Sequence, residues 1–303
     1  MRVIITGGTG MIGLALSRSF IQEGHEVIVL SRDPQRYERK MPDQVKLIQW
    51  DAKSAHGWLE FVNGAAGIIN LAGVNIGESR WSEARKKAIL SSRINAGRAV
   101  VEAVSLAENK PSWVIQASAV GYYGARGDEI LTENSLAGEE FQSFVCQEWE
   151  RSTEALDQMG VRRVIIRSGL VLDRKDGALP RMEMPFRFFV GGPLGNGQQW
   201  FSWIHLADEV QGIRLLIARM DLRGVFNLTA PNPVQNREFA RILGETLRRP
   251  AFIPVPALAL KILFGEMSRV LLTGQRVIPE RLLNAGYQFH FPELSLALKD
   301  IYA

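Results

Sequence analysis

Val3-Ile4-Ile5-Thr6-Gly7-Gly8-Thr9-Gly10-Met11-Ile12-Gly13 opens the chain, and its reading decides the fold. A short apolar run enters a glycine-rich turn, and an amphipathic stretch, Leu14 to Glu23, follows. Strand, glycine turn, helix is the context in which the spacing Gly7-x-x-Gly10-x-x-Gly13 carries meaning. Glycine lets the backbone turn sharply and approach a ligand closely where any Cβ would collide. The helix that begins here points unpaired N–H groups and the positive end of its dipole at a bound anion. A dinucleotide diphosphate suits that geometry, with Gly7, Thr9, Gly10, Met11, Ile12 and Gly13 forming its cradle.

The next apolar run, Val27-Ile28-Val29-Leu30, ends in Ser31-Arg32-Asp33. An acidic residue about 20 positions beyond the glycines binds the free ribose hydroxyls of NAD, whereas an arginine accommodates the extra phosphate of NADP. Ser31 and Arg32 offer a hydroxyl and a guanidinium, which suit a phosphate. Asp33, one residue later, remains within reach of a ribose. The expected cofactor is NADP.

Further along, apolar runs alternate with helical patterns. Strands are expected at 2–6, 27–31, 46–50, 67–71, 112–117 and 162–167, and helices at 11–23, 81–108 and 139–159. Such alternation, with strands that look buried on both faces, implies an α/β fold built on a parallel, doubly wound sheet. In a Rossmann-type dinucleotide fold the order is 3-2-1-4-5-6 and the ligand crosses the carboxyl ends of the strands. Gly and Pro become frequent after residue 170, so 170–205 reads as substrate-side loops. Sheet-like and helical pieces return at 224–228 and 235–247. The expected division is a nucleotide-binding domain over 1–225 and a small C-terminal α+β lobe on the substrate side over 226–303.

Composition bounds the alternatives. With 303 residues, 46% hydrophobic and 22% charged, the chain is ordinary for a globular protein and can bury a large core. Its net charge of +4 suits an anionic cofactor, while the short Arg85-Lys86-Lys87 is no nucleic-acid motif. The single cysteine, Cys146, excludes an internal disulfide and fits a reducing compartment. The four histidines, His25, His56, His205 and His290, are widely separated, and no metal site is expected. No apolar run is long enough to span a membrane, and Met1-Arg2 enters a strand at once, so the expectation is a cytoplasmic protein without membrane or nucleic-acid partners.

Several blocks together resemble the extended branch of the short-chain dehydrogenase/reductase superfamily, the nucleotide-sugar epimerases and their relatives. They are Thr6 to Gly13, Asn70-Leu71-Ala72-Gly73, Ala117-Ser118-Ala119-Val120-Gly121-Tyr122-Tyr123-Gly124, Arg167 to Leu172 and Trp203 to Asp208. Gly73-Val74-Asn75-Ile76 with Arg80-Trp81, Ser92-Arg93, Trp149-Glu150, and Gly191-Gly192-Pro193-Leu194-Gly195 resemble an atypical group within it, the epimerase family proteins. The piece carrying Gly274 to Pro279 and Gly286 to Phe289 resembles that group's small domain of unknown function. For the cofactor, the resemblance implies contacts from Leu71, Ala72 and Gly73, from Asp51 beside the adenine, from Arg93 to a phosphate or ribose, and from Val171 beside the nicotinamide. Asp51 reads equally as a cap, and Arg93 as a surface charge. The resemblance also leaves room for a homodimer through the helices at 81–108 and 139–159.

One feature of that superfamily is missing. Its chemistry uses a Tyr and a Lys four residues apart, the Lys lowering a phenol pKa of about 10. None of Tyr37, Tyr122, Tyr123, Tyr287 and Tyr302 has Lys four residues on. Aligned through Trp149-Glu150, Gln142 falls near the Tyr position and Cys146 near the Lys position. Ser118, Tyr122 and Tyr123 are the candidate substitutes, with His205 a further titratable group. Each also has an ordinary structural reading: a strand cap, loop packing, a satisfied core histidine. Two functions are therefore weighed. One is an NADP(H)-dependent oxidoreductase or nucleoside-diphosphate-sugar epimerase acting on a small polar molecule. The other is a non-catalytic NADP(H)-binding sensor or scaffold.

Overall fold

In the computed structural model, which describes residues 1–303, the apolar runs assemble into one seven-stranded parallel sheet. Its strands are β1 (Arg2–Thr6), β2 (Glu26–Ser31), β3 (Val45–Gln49), β4 (Gly67–Asn70), β5 (Trp113–Ala119), β6 (Arg162–Ser168) and β7 (Gly224–Leu228). The order is β7-β6-β5-β4-β1-β2-β3. The main helices are α1 (Met11–Gln22), α2 (Glu83–Leu106), α3 (Phe141–Arg151), α4 (Leu179–Arg187), α5 (Leu206–Ala218), α6 (Asn236–Leu247), α7 (Ala257–Phe264) and α8 (Leu294–Tyr302).

The central strands are buried on both faces, so they read as continuous apolar runs instead of alternating ones. Val3, Ile5, Val27 and Val29 pack with Leu16 and Phe20 of α1 and with Ile213 and Leu216 of α5. Ile4, Ile28, Ile68 and Val114 face the other way, onto Ala96, Ala99, Val100 and Ala103 of α2. The strand order reverses between β1 and β4, and their carboxyl ends border the crevice where such folds bind ligands.

The six expected strands are present in the expected order, and the piece at 224–228 extends it as β7, paired in parallel with β6. The division expected after residue 225 runs through this strand. The helix expected over 139–159 is shorter. It stops at Arg151, and a separate 3₁₀ turn covers Glu154–Gln158. Ser152 and Thr153 explain the stop, because their hydroxyls donate to the carbonyls of Trp149 (2.6 Å) and Glu150 (3.3 Å) and compete for the last turn.

The C-terminal piece is helical and has no sheet of its own. Its two-residue strands, Val234–Gln235 and Arg276–Val277, pair with Trp200–Phe201 and Ile130–Leu131. Buried carboxylates tie it down. Asp208 of α5 accepts from the Tyr287 hydroxyl and from the backbone of His290 and Phe291, each at 2.9 Å. Glu133 accepts from the backbone of Asn227 (3.0 Å) and Arg281 (3.3 Å). No helix is long and apolar enough to cross a membrane.

Glu209, one residue past Asp208, is fully buried and has a single partner, the Ser168 hydroxyl donating to Oε1 at 2.6 Å. Its Oε2 has none, and burial pushes the carboxyl up to about 8. The native state thus holds this proton more tightly than the unfolded chain does. Glu209 therefore costs stability progressively as pH rises from the ordinary glutamate range through about 8. Urea unfolding of Glu209→Gln between pH 5 and 8 should give a flatter stability profile than wild type; identical slopes would mean the carboxyl is not held neutral.

Candidate functional site

The glycine turn is shaped by two different constraints. Gly7 has φ +67°, and a Cβ there would lie 2.8 Å from the Leu71 carbonyl. Only glycine allows β1 and the end of β4 to approach this closely. Gly10 differs: it is exposed, and a Cβ there would meet nothing closer than the Gly7 carbonyl at 3.4 Å. It leaves room for a ligand. Gly10 also N-caps α1 without a side-chain hydrogen bond, so no side chain blocks the N–H groups of the first turn, Met11, Ile12 and Gly13. Thr9, Met11 and Ile12 are half-buried around this opening, and Gly13 packs against the Gly8 backbone.

At the end of β2 the question left by Arg32 and Asp33 has a geometric answer. Asp33 N-caps the short helix Pro34–Tyr37, accepting from the Arg36 backbone at 3.3 Å. Its own N–H donates to Ser31 Oγ at 3.2 Å. The carboxylate is thereby directed into its own turn. Arg32 is exposed and lines a cleft of about 590 Å³ with Gln49, Trp50, Asp51, His56 and Gly57. Asp51 is a loop cap, accepting from the backbone of Lys53 (2.8 Å) and Ser54 (3.0 Å) and from the Ser54 hydroxyl (3.0 Å).

Across the crevice a buried polar ladder fixes the strand tips. Thr6 Oγ1 donates to Asn70 Oδ1 (2.6 Å), Asn70 Nδ2 to Gln116 Oε1 (2.8 Å), and Gln116 Nε2 to the Ala117 carbonyl (2.7 Å). Leu71 and Ala72 are half-buried, and Gly73 is exposed. Val171 is buried in the strand Leu170–Leu172. The loop after it approaches the start of α1, since a Cβ on Gly177 would contact Met11 at 3.4 Å. The charge on Arg93 of α2 also lies inward. Its Nη1 donates to the carbonyls of Val74 (3.1 Å) and Ile89 (2.9 Å), and its guanidinium lies 4.8 Å from the Trp149 ring centre.

Ser118, Tyr122 and Tyr123 belong to an ionic frame that the sequence reading did not assemble. Ser118 is 4% exposed and donates to Glu150 Oε1 at 2.6 Å. Arg167 binds the same carboxylate through Nε and Nη2, each at 2.8 Å. Its Nη1 donates to the Tyr123 hydroxyl (3.1 Å), which donates to Asn227 Oδ1 (2.7 Å). Tyr123 is fully buried, and burial pushes its phenol up to about 12, away from proton exchange near neutrality. Tyr122 is half-buried with its ring 3.3 Å from the Arg167 guanidinium carbon. The only advance signals of this frame were Arg167, a charge ending an apolar run, and Glu150, eight residues after Gln142 on one helix face.

The missing pair is equally plain in space. A Cβ built on Gly121 would lie 3.5 Å from Gln142 Cγ and 3.9 Å from Cys146 Sγ, so both side chains face the loop after β5. Burial pushes the Cys146 thiol up to about 11, so it stays neutral. His205 N-caps α5 through Nδ1, which accepts from Ala207 at 3.1 Å, and its ring stacks on Phe291. No group of three or more His, Cys, Asp or Glu side chains gathers as a metal site.

Comparison with known proteins agrees with this geometry. The family model described as the NAD dependent epimerase/dehydratase family matches residues 3–144, and a domain of unknown function, DUF1731, matches 255–301. The epimerase family protein YfhF of Bacillus subtilis is 38% identical over 304 residues, spanning 100% of this chain and 98% of its own length. The crystal structure of human epimerase family protein SDR39U1 with NADPH superposes with a TM-score of 0.88 at 36% identity, covering 100% of this chain and 99% of that one. A nucleoside-diphosphate sugar epimerase from Corynebacterium glutamicum gives 0.78 at 32% identity, covering 98% of this chain and 57% of that one.

Two variants test the site. Glu150→Gln leaves the Arg167 charge buried without its counter-ion and should destabilise the protein by about 3–5 kcal/mol, read by urea unfolding; a loss under about 1 kcal/mol would show that the frame is solvated. Gly10→Val should cost no more than about 1 kcal/mol of stability, since it replaces a tolerated N-cap with a poor one, yet weaken NADPH binding at least about tenfold, because its Cβ enters ligand space and not protein.

Proposed function

Because this chain belongs to the NAD-dependent epimerase/dehydratase family, we propose that it is an NADP(H)-dependent oxidoreductase or epimerase acting on a small polar molecule, with nucleotide sugars as the substrate class. The observation that carries the cofactor choice is the division of labour after β2. Asp33 is occupied as a helix cap, and Arg32 stands free beside an open cleft. A carboxylate directed at the ribose would repel a 2′-phosphate; a free guanidinium attracts it. The NADPH bound to the human relative supports this reading, and the sugar-nucleotide class rests on the name of the Corynebacterium one.

When bound, the cofactor supplies a hydride donor or acceptor at its nicotinamide ring. The residues have separable roles around it. The backbone N–H groups at the start of α1 hold the diphosphate, Ser31 and Arg32 the 2′-phosphate, and Asp51 lies at the adenine edge. Leu71, Ala72 and Gly73 form one wall of the crevice, and Val171 lies on the nicotinamide side. Ser118 already donates its hydroxyl proton to Glu150, so in this arrangement it positions the frame instead of donating to substrate oxygen. Tyr123 is likewise committed to Asn227. Tyr122 is the candidate proton donor that remains, its ring stacked on the Arg167 guanidinium. The sensor or scaffold reading draws on missing residues alone.

Calorimetry decides the cofactor assignment. Wild type should bind NADPH more tightly than NADH, and Arg32→Ala should lose at least about tenfold in NADPH affinity with little change for NADH. Equal affinity for the two cofactors would remove the assignment. Loss of turnover in Tyr122→Phe, assayed on a sugar-nucleotide panel by NADPH absorbance, tests the proton donor.

A further inference from the structure

We propose that the surface formed by Phe188, Phe189, Val190, Phe252 and Ile253, with Arg187, Arg248 and Arg249 beside it, docks the protein peripherally on an anionic lipid bilayer. All five apolar residues are exposed, Phe188 at 72% and Phe252 at 77%. They come from two segments that run side by side. The Ile253 N–H donates to the Gly191 carbonyl at 3.1 Å and the Val255 N–H to the Pro193 carbonyl at 2.9 Å, so Val190 and Phe252 emerge together. The Arg249 guanidinium lies 4.5 Å from the Phe189 ring centre and joins the basic part of the surface to the apolar one. Further along the chain α7 keeps the same texture: Leu258, Ile262 and Leu263 are exposed, and Lys261 is its sole charge. Contiguous apolar exposure of this kind marks an interaction site.

The backbone holds these side chains outward under strain. At the end of α4 the Val190 N–H donates to the Pro185 carbonyl (3.0 Å), and at the end of α6 the Arg249 N–H donates to the Gly244 carbonyl (2.8 Å). In each turn the residue just before that donor adopts the left-handed conformation that glycine ordinarily supplies. Here the two residues are Phe189, with φ +63°, and Arg248, with φ +54°. A ring and a guanidinium thus stand where a glycine would relieve the backbone. Interior packing does not account for them, because both residues are exposed.

The charge of the surface has one sign. No acidic residue occurs between Glu183 and Asp208 or between Glu245 and Glu266. The flanking carboxylates are already paired, Glu183 with Arg187, Glu245 with Arg241 and Glu266 with Lys86. Arg248, Arg249 and Lys261 are exposed and their charges are unanswered within the protein. Apolar tips ringed by unpaired cations match an acidic headgroup layer above an acyl boundary. A second copy fits less well, since a two-fold contact would set one basic rim against another. The expectation of no membrane partner rests on the lack of a spanning run, and contact with a bilayer surface needs none.

The test floats the full-length protein with vesicles of phosphatidylcholine alone and of equimolar phosphatidylcholine and phosphatidylglycerol. Wild type should rise with the acidic vesicles and not with the neutral ones, and added salt should release it. Phe188→Ser combined with Phe252→Ser should weaken that binding at least about tenfold, and so should Arg248→Gln combined with Arg249→Gln. Both variants should keep a urea midpoint close to wild type, which certifies their fold, because the altered side chains are exposed. Wild type that rises with neither vesicle, or equally with both, overturns the proposal. A dimer in sedimentation that the phenylalanine variant dissolves, with no lipid binding, also overturns it and assigns the face to a second copy.

Discussion

The Arg167–Glu150 pair holds the carboxyl end of the sheet to the helix beside it. Their side chains are only 4% and 11% exposed, so both ions have lost most of their water. Desolvation offsets much of the attraction in such pairs, and what survives depends on geometry and on further hydrogen bonds. Here two parallel N–H···O bonds, the Ser118 hydroxyl and the Tyr123 hydroxyl supply them. We read the pair chiefly as a placement device. It joins β5, β6 and α3 at one point and reaches β7 through Asn227. With Glu150 pinned, the turns of α3 that carry Cys146 and Gln142 are pinned too, and the loop after β5 has its neighbours chosen for it.

The crevice is organised by a similar economy of polar groups. The Thr6–Asn70–Gln116 ladder links side chains across three adjacent strands whose backbones are already paired at these residues, so their tips are held together twice over. Around that rigid lip the charges divide by position. Arg32 stands exposed at the β2 side, free to close on an anion, while Arg93 is packed into the opposite wall and already oriented by two carbonyls. Paired strand tips thus lie between one exposed guanidinium and one half-buried one.

Much of this was legible in the residues. Continuous apolar runs at 2–6, 27–31 and 67–71 identify buried parallel strands because no polar face interrupts them, and the glycine spacing places the crevice. Local structure was legible where it depends on near neighbours, as with the tight glycine turn, where Gly7 comes within reach of the Leu71 carbonyl. It failed where a side chain has two uses within one turn: Asp33 reads as a ribose ligand or a cap, and only the course of the next helix decides. Contacts between distant segments were out of reach. Nothing in the sequence pairs Ser118 with Glu150, or Tyr123 with Asn227, since 32 and 104 residues separate them. Ser118 and Tyr123 were therefore weighed as free reagents, although their protons are already engaged.

The closeness of Arg93 and Cys146 limits what a single substitution in this wall can restore. Cys146→Lys alone would set an ammonium beside a guanidinium in a wall with no free carboxylate, and mutual repulsion would oppose both charges. Gln142→Tyr alone would add a phenol with no amine to acidify it. Neither step is useful without the other, and the first is penalised until Arg93 changes as well. Restoring a phenol and an ammonium to this wall would therefore take three changes together, at Gln142, Cys146 and Arg93.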